Sequence, residues 1–304
     1  AASCRLSRPT RPTRKVLQSV PSPLRRAAPP APRPPAAPPD LRAFVTLLSL
    51  AWLFGANHVA ARVAFDHGVD VVTAVAVRSL GTALVVALVV RALALPVQLT
   101  PRQWRWLGAV AGLIAVQSLC LYAAVARLPV ALALLAFNSF PLWVALWSVL
   151  VFRQPPPRAL LWAMPVILVG LALALDVGTA AAQGAPAGTG SGIGFALTAA
   201  ASFGLALVFT QHELAGVDGR VRTMLTMALV GSVALLLALT GSGLRWPTAT
   251  AGWAGLALLT LFYGTGFTVM FVLLPRLGVA ANSPILNTEP VAALVMAWAL
   301  LGQT

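Results

Sequence analysis

The chain has 304 residues, of which 59% are hydrophobic and 9% are charged, and its mean hydropathy is +0.87. Soluble domains carry about 25% charged residues, so this composition excludes an ordinary soluble enzyme and a disordered regulator. The formal net charge of +14 does not indicate nucleic-acid binding, because nine of the 21 basic residues lie in residues 1–42 and the others are scattered between apolar runs. We therefore expect a lipid bilayer as the main surroundings and no nucleic-acid partner.

Residues 1–40 form a separate zone that is rich in proline, alanine and arginine. Eleven of the 24 prolines fall in this zone. Proline at this density prevents both helix and sheet, so the sequence predicts a disordered basic tail. The alternatives are upstream sequence from a wrong start site and a transit peptide, although these prolines would break the amphipathic helix that a transit peptide needs.

From residue 41 onward the chain consists of apolar runs separated by short polar stretches. Runs of about 20 apolar residues are long enough to cross a bilayer as helices. The nine predicted spans cover approximately residues 43–64, 71–95, 105–125, 129–152, 159–176, 194–211, 223–239, 252–274 and 279–301. Backbone groups in hydrocarbon must be hydrogen-bonded internally, which makes helix the default. The predicted fold class is an all-α integral membrane protein.

Arginines are unevenly distributed between alternate loops. The loops on the same side as the basic tail hold Arg91, Arg102, Arg105, Arg153, Arg158, Arg220, Arg222 and Arg276. The opposite loops hold Arg127 and Arg245, and Arg62 ends the first span. Because basic loops stay in the cytoplasm, we predict a cytoplasmic N-terminus and a multi-pass protein of the cell membrane, specifically a bacterial inner membrane.

The apolar region contains an internal repeat at an offset of 149 residues. Residues 127–131 resemble residues 276–280, and the segment from Asn138 to Pro141 resembles the segment from Asn287 to Pro290. An uncharged Gly/Ala linker, 178–192, separates residues 41–177 with five spans from residues 193–304 with four. A repeat of five spans inserts its second copy upside down, as in many secondary transporters. We predict nine visible helices of a ten-helix, 5+5 inverted-repeat transporter. The second copy lacks its fifth span, either because the chain is truncated at Thr304 or because this protein has lost that helix.

Charged side chains inside apolar spans are costly and therefore mark candidate functional positions. Glu289 is the only acid well inside a predicted span, and Pro290 weakens the helix beside it. Glu289 is interpreted either as a group that binds a proton or a substrate amine, or as a structural glutamate bonded to Asn or Ser neighbours. Phe140 takes its place in the first copy. For Arg78, binding of a substrate carboxylate, snorkelling to an interface and pairing with an acid all stay open.

The other candidate residues are aromatic, amide and proline residues within the spans. The remaining candidates for a substrate cavity are Trp52, Asn57, Gln117, Asn138, Trp143, Tyr263, Asn282 and Asn287. Pro141 and Pro290 are candidate helix breaks at equivalent positions of spans four and nine. Each polar candidate has a structural alternative, an interhelical hydrogen bond worth about 0.6 kcal/mol. His58 is interpreted as a packed histidine, and Gly108 with Gly112 as a helix-packing face.

The sequence resembles the EamA family of the drug/metabolite transporter superfamily over residues 43–304. The likeness is carried by Trp52, by Phe54 to Asn57, by Arg62, Arg78 and Pro141, by Glu289 with Pro290, and by Leu301 to Gln303. The resemblance implies ten helices in two five-helix repeats. It also favours export of amino-acid-like or drug-like compounds.

We predict a secondary active transporter, an exporter of a small polar metabolite that works by alternating access with proton coupling through Glu289. An intramembrane enzyme is the first alternative, but the chain has three histidines and neither an HExxH nor a GxSxG motif. A channel-like facilitator is the second, and no ring of polar residues or filter loop indicates one. We expect no cofactor and no metal. The expected partners are a small-molecule substrate, lipid and protons, and a homodimer stays open.

Overall fold

The computed structural model of the protein describes residues 41–154, 188–272 and 288–302, together with residues 166, 169, 170 and 173. Within these ranges the chain forms nine helices and no strand. The helices are α1 (Leu41–Asp66), α2 (Val71–Ala92), α3 (Pro101–Val125), α4 (Val130–Phe137), α5 (Phe140–Phe152), α6 (Thr189–Glu213), α7 (Gly219–Thr240), α8 (Thr250–Val272) and α9 (Glu289–Leu301). The predicted tail, most of the predicted fifth span and the first part of the ninth lie outside the described residues.

Seven stretches of the described helices are long and apolar enough to cross a membrane. They are Phe44–Asp66, Val71–Ala92, Pro101–Val125, Val130–Phe152, Thr189–Glu213, Gly219–Thr240 and Thr250–Val269. Large apolar side chains point outward from them, and Leu84, Leu236 and Leu261 are each at least 60% exposed. Such surfaces are typical of helices solvated by hydrocarbon. The seven stretches match predicted spans one to four and six to eight.

Several helix ends differ from the predicted spans because local caps set them. α3 begins at Pro101 rather than at residue 105, since Thr100 and Gln103 form a reciprocal capping box ahead of it. α2 ends at Ala92 rather than at residue 95, and Ala94 has a positive φ of 47°. α6 begins at Thr189, inside the stretch predicted as a linker. Hydropathy does not register these local hydrogen bonds, so it misplaced these ends by several residues.

The predicted fourth span is divided into α4 and α5 by Asn138 and Ser139. Nδ2 of Asn138 donates to the carbonyl oxygen of Leu134 at 2.8 Å, and Oγ of Ser139 donates to that of Ala136 at 2.8 Å. These side chains satisfy carbonyl groups at the end of α4. Pro141 stands in the first turn of α5, where its missing N–H costs no helical hydrogen bond.

Helices from the two parts of the sequence interleave. α1 packs on α8 and α9, α2 packs on α7 and α8, and α3 packs on α6 and α7. The α1–α8 crossing is close, because a Cβ added at Gly255 would lie 2.9 Å from the carbonyl oxygen of Ala60 and 2.9 Å from the nitrogen of Ala64. Small residues permit such approach between membrane helices. The interleaving brings residues that are distant in sequence to a common centre.

The predicted packing face on α3 has no described neighbour. Gly108 and Gly112 are exposed, and nothing in the described ranges lies within 4 Å of a Cβ added at either position. The buried side of α3 carries Leu107, Val110 and Ala111 instead. The contacts that α3 makes with α6 and α7 therefore do not depend on this pair of glycines.

Candidate functional site

Polar and ionisable side chains from five helices meet in the interior of the protein. This polar cluster comprises Asn57 and His58 on α1, Arg78 on α2, Gln117, Ser118 and Tyr122 on α3, Tyr263 on α8, and Glu289 on α9. All except Tyr122 and Glu289 lie at least seven residues from the ends of their helices. Helices of both halves of the sequence contribute to the cluster.

Arg78 connects α2, α3 and α8 within the cluster and is 3% exposed. Its Nη1 donates to the hydroxyl of Tyr122 at 3.3 Å, and its Nη2 donates to Oγ of Ser118 at 3.0 Å. Its Cζ lies 3.8 Å from the ring centroid of Tyr263 and 4.8 Å from that of Tyr122, which makes two cation–π contacts. Its Nε is buried and has no hydrogen-bond partner in the described part of the chain. Arg78 does not snorkel, and no described acid pairs with it.

Glu289 meets His58 at the junction of α9 and α1. Its Oε1 lies 3.4 Å from Nε2 of His58, and the two side chains are 27% and 8% exposed. The contact is an ion pair when the imidazole is protonated. Glu289 is the first residue of α9, where the helix dipole favours a negative charge.

Tyr122 joins the two sides of the cluster from a fully buried position. Its hydroxyl lies 3.4 Å from Nδ2 and 3.5 Å from Oδ1 of Asn57, and its ring meets that of His58 edge-on at 5.9 Å. Oγ of Ser118 also donates to Oε1 of Gln117 at 3.2 Å. The hydroxyl groups therefore link Asn57, Arg78 and Gln117 into one hydrogen-bonded network.

Sequence reasoning missed three members of the polar cluster. Tyr122 and Ser118 received no role, and His58 was interpreted as packed rather than as the partner of Glu289. One available signal was the spacing of Ser118 and Tyr122, which are four residues apart and share a helix face. Another was the cost of an intramembrane acid, which requires a named partner for Glu289.

The other predicted site residues lie apart from the cluster or outside the described ranges. Trp52 is 42% exposed and lines a shallow groove of about 430 Å³ with Met296. Trp143 stacks on Trp147, with ring centroids 6.3 Å apart, and Asn138 is engaged at the end of α4. The structure thus brings together five of the predicted residues: Asn57, Arg78, Gln117, Tyr263 and Glu289. Asn282 and Asn287 fall outside the described residues.

The ion pairs outside the cluster lie at the ends of helices. Arg102 on α3 lies 2.7 Å from Glu213 on α6, and Arg62 lies 2.9 Å from Asp66 on α1. Asp218, just before α7, accepts hydrogen bonds from the guanidinium of Arg220, and this contact lowers the pKa of Asp218 to about 2. The described residues contain no group of three His, Cys, Asp or Glu side chains arranged to hold a metal ion.

The cluster offers two chemical functions at a buried position. His58 and Glu289 can share a proton, because Nε2 of His58 lies 3.4 Å from Oε1 of Glu289. Arg78 and Glu289 can present opposite charges to a small solute. The second function needs the solute to reach the interior, and it therefore requires movement of the surrounding helices.

Comparison with protein families supports the repeat. The model of the EamA-like transporter family matches residues 41–175 and residues 190–304. The two matched stretches begin 149 residues apart, which is the offset of the internal repeat. No curated protein matches the chain.

Proposed function

The chain belongs to the EamA-like transporter family of the drug/metabolite transporter superfamily, and we propose that it is a secondary active transporter that exports a small polar metabolite by alternating access. It is a membrane protein with several transmembrane helices. The observation that carries the proposal is the polar cluster, because buried charges between helices of both matched stretches are what a midplane substrate site requires.

The proposed architecture is a pair of inverted copies, residues 41–177 and 189–304, joined by a linker that ends before α6, with a cytoplasmic N-terminus in the cell membrane. α5 and α9 both have 13 residues and begin 149 residues apart. Each ends at an equivalent left-handed residue, Arg153 at φ 54° and Gly302 at φ 64°. The packing of α1 on α8 is the counterpart of the packing of α6 on α3. These reciprocal features support a two-fold axis in the membrane plane and a ten-helix, 5+5 fold.

The proposed energy source is a proton gradient that acts through Glu289 and His58. Protonation of Glu289 removes the charge that favours its contact with protonated His58, which changes how strongly α9 is held on α1. A group that takes up a proton on one side of the membrane and releases it on the other couples the gradient to the helix movement. The chain contains no phosphate-binding loop that would indicate use of a nucleotide.

Reconstitution in liposomes tests this proposal. Labelled polar metabolites are screened for accumulation with and without an imposed pH gradient, in both gradient directions. We expect the parent protein to accumulate at least one compound against its gradient. Glu289→Gln should insert normally and exchange substrate at equal pH but lose gradient-driven accumulation. Glu213→Gln is the matched control, because Glu213 pairs with Arg102 outside the polar cluster.

Two results would contradict the proposal. Accumulation by Glu289→Gln at the level of the parent would assign the coupling to another group. If the parent moved no compound of the panel in either gradient or in exchange, secondary transport itself would be rejected.

A further inference from the structure

Arg78 carries a buried positive charge that the described residues do not neutralise. Its two hydrogen-bond acceptors are the hydroxyl groups of Tyr122 and Ser118, which are uncharged. Glu289, the acid of the polar cluster, contacts His58 instead. Burial of a cation without a counter-ion is unfavourable in a protein and more so in a membrane. An anionic ligand can therefore supply the counter-ion that the described residues do not give Arg78.

The tyrosine rings compensate the guanidinium only through its faces. Tyr263 and Tyr122 lie 3.8 and 4.8 Å from Cζ of Arg78, at cation–π distance. The N–H donors lie in the plane of the guanidinium, and Nε has no acceptor within the described ranges. A planar edge with an unused donor matches the two oxygens of a carboxylate, which guanidinium groups bind bidentately.

We propose that Arg78 anchors a carboxylate of the transported substrate, so that the substrate is an organic acid or another compound with one carboxylate. This inference rests on the proposed function and names its substrate class. The carboxylate accepts hydrogen bonds from Nε and one Nη of Arg78. Tyr122 and Ser118 hold the guanidinium in place from α3. A single negative charge balances the charge of Arg78, to which no acid of the described ranges is paired, whereas a doubly charged phosphate would add repulsion from Glu289.

Tyr263 lies over one face of the Arg78 guanidinium in the described state. Its ring belongs to α8, whereas Arg78 and its hydroxyl partners belong to α2 and α3. The rings of Phe267 and Phe54 lie 4.5 and 6.4 Å from that of Tyr263 and support it from behind. Displacement of α8 from α2 opens space beside the guanidinium into which the carboxylate can enter. Access to Arg78 is thus tied to the relative movement of the two matched halves.

Thermal unfolding of the purified protein with matched ligand pairs tests the inference. The probes are lactate and lactamide, benzoate and benzamide, alanine and alaninamide, and phenyl phosphate. At least one carboxylate should stabilise the parent with an apparent affinity at least about tenfold above that of its amide, as expected for a hydrogen-bonded charge pair. Stabilisation by amides or phenyl phosphate alone, or by no carboxylate of the panel, would overturn the inference.

Variants then test whether Arg78 is responsible for the preference for a carboxylate over its amide. Arg78→Gln should bind the selected carboxylate and its amide equally, and Arg78→Lys should keep part of the preference. Because Arg78→Gln changes a buried group, the comparison of ligands on the parent decides the inference even if this variant fails to fold. Arg127→Gln is the matched control, since Arg127 lies 4.8 Å from the ring of Phe195 but at an exposed position. Unchanged discrimination in a folded Arg78→Gln would also overturn the inference.

The outcomes for this inference and for transport are separable. If the parent transports compounds without a carboxylate and does not bind carboxylates, the Arg78 anchor is rejected and transport stands. If the parent prefers carboxylates but moves none of them across the liposome membrane, the anchor stands and transport is rejected.

Discussion

The starts of α5 and α9 have nearly the same backbone conformation, but the first residue of α5 is aromatic and that of α9 is acidic. Ser139 and Thr288 precede the two helices with φ,ψ angles of −68°, −7° and −77°, −5°. A Cβ added at Gly204 would lie 3.0 Å from the nitrogen of Val144, and one added at Gly55 would lie 3.0 Å from the nitrogen of Ala293. These pairs are each separated by the repeat offset, so the same helix crossing is built twice.

The side chains at the two starts differ. Phe140 packs among Phe137 and Phe203, with ring centroids 5.8 and 5.2 Å away. At the equivalent place, Glu289 meets His58 at 3.4 Å. One crossing is an aromatic contact between α5 and α6, and the other is a titratable contact between α9 and α1.

The comparison separates what the repeat determines from what single residues determine. The backbone is set by features that recur at the offset, namely small residues at the crossings and prolines in first turns. The chemistry is set by positions where the copies differ. In the second copy, Leu207 occupies the position equivalent to His58, and Phe267 occupies the position equivalent to Ser118. A duplicated fold can thus keep its packing while one copy supplies most of the polar cluster.

The largest expected effect comes from replacing the glycine at each of the two equivalent helix crossings with a larger residue. Gly55→Val and Gly204→Val should each lower the free energy of unfolding by about 1–3 kcal/mol, because the new side chain meets backbone atoms that cannot rotate away. Thermal unfolding in detergent measures this. Gly194→Ala on α6 is the control, since no described atom lies within 4 Å of a Cβ there. A large loss at one glycine with none at the other would break the equivalence of the crossings.

Truncation of the two unlike side chains sharpens the chemical difference. Phe140→Ala should lower the free energy of unfolding by about 2 kcal/mol, below the value for a fully buried phenylalanine because the ring is only half-buried. It should leave the pH dependence of transport intact. Glu289→Ala should cost less stability and remove that pH dependence. Loss of the pH dependence in Phe140→Ala alone would contradict this account, because it would mean that the titratable contact between α9 and α1 does not set the pH dependence.

The sequence predicted the seven described membrane-spanning stretches, the offset and five members of the polar cluster, because hydropathy and identical residue types are visible along one chain. Hydropathy gave no sign that Thr100 and Gln103 extend α3 by four residues. Nor did any pattern pair His58 with Glu289, which are 231 positions apart and meet only because α9 packs on α1. Such contacts depend on tertiary packing, and periodicity within one helix does not encode them.

The smallest expected effect concerns Asp70 and Asp218, which cap the equivalent helices α2 and α7. Asp70→Ala and Asp218→Ala should each lower the free energy of unfolding by about 1 kcal/mol, because a helix N–H loses its acceptor. The contribution of Asp218 to stability also depends on pH in the acid range. Its folded-state pKa is about 2 against an ordinary 3.8, so its contribution is complete above pH 3.8 and is lost as the pH falls towards 2.

Asp218→Asn isolates that charge, since asparagine also caps helices. Acid unfolding curves should show a smaller loss of stability between about pH 4 and about pH 2 in Asp218→Asn than in the parent. An identical loss in both proteins would show that the contact with Arg220 adds nothing to stability.

The most direct test of the coupling proposed for the second crossing is proton movement caused by substrate. Liposomes that contain the protein and an internal pH dye are given a gradient of a transported compound at equal pH on both sides. The parent and Phe140→Leu should both change the internal pH, and Glu289→Gln should transport the compound without changing it. A full pH change in Glu289→Gln would contradict the account, because the titratable contact between α9 and α1 would then not be the coupling group.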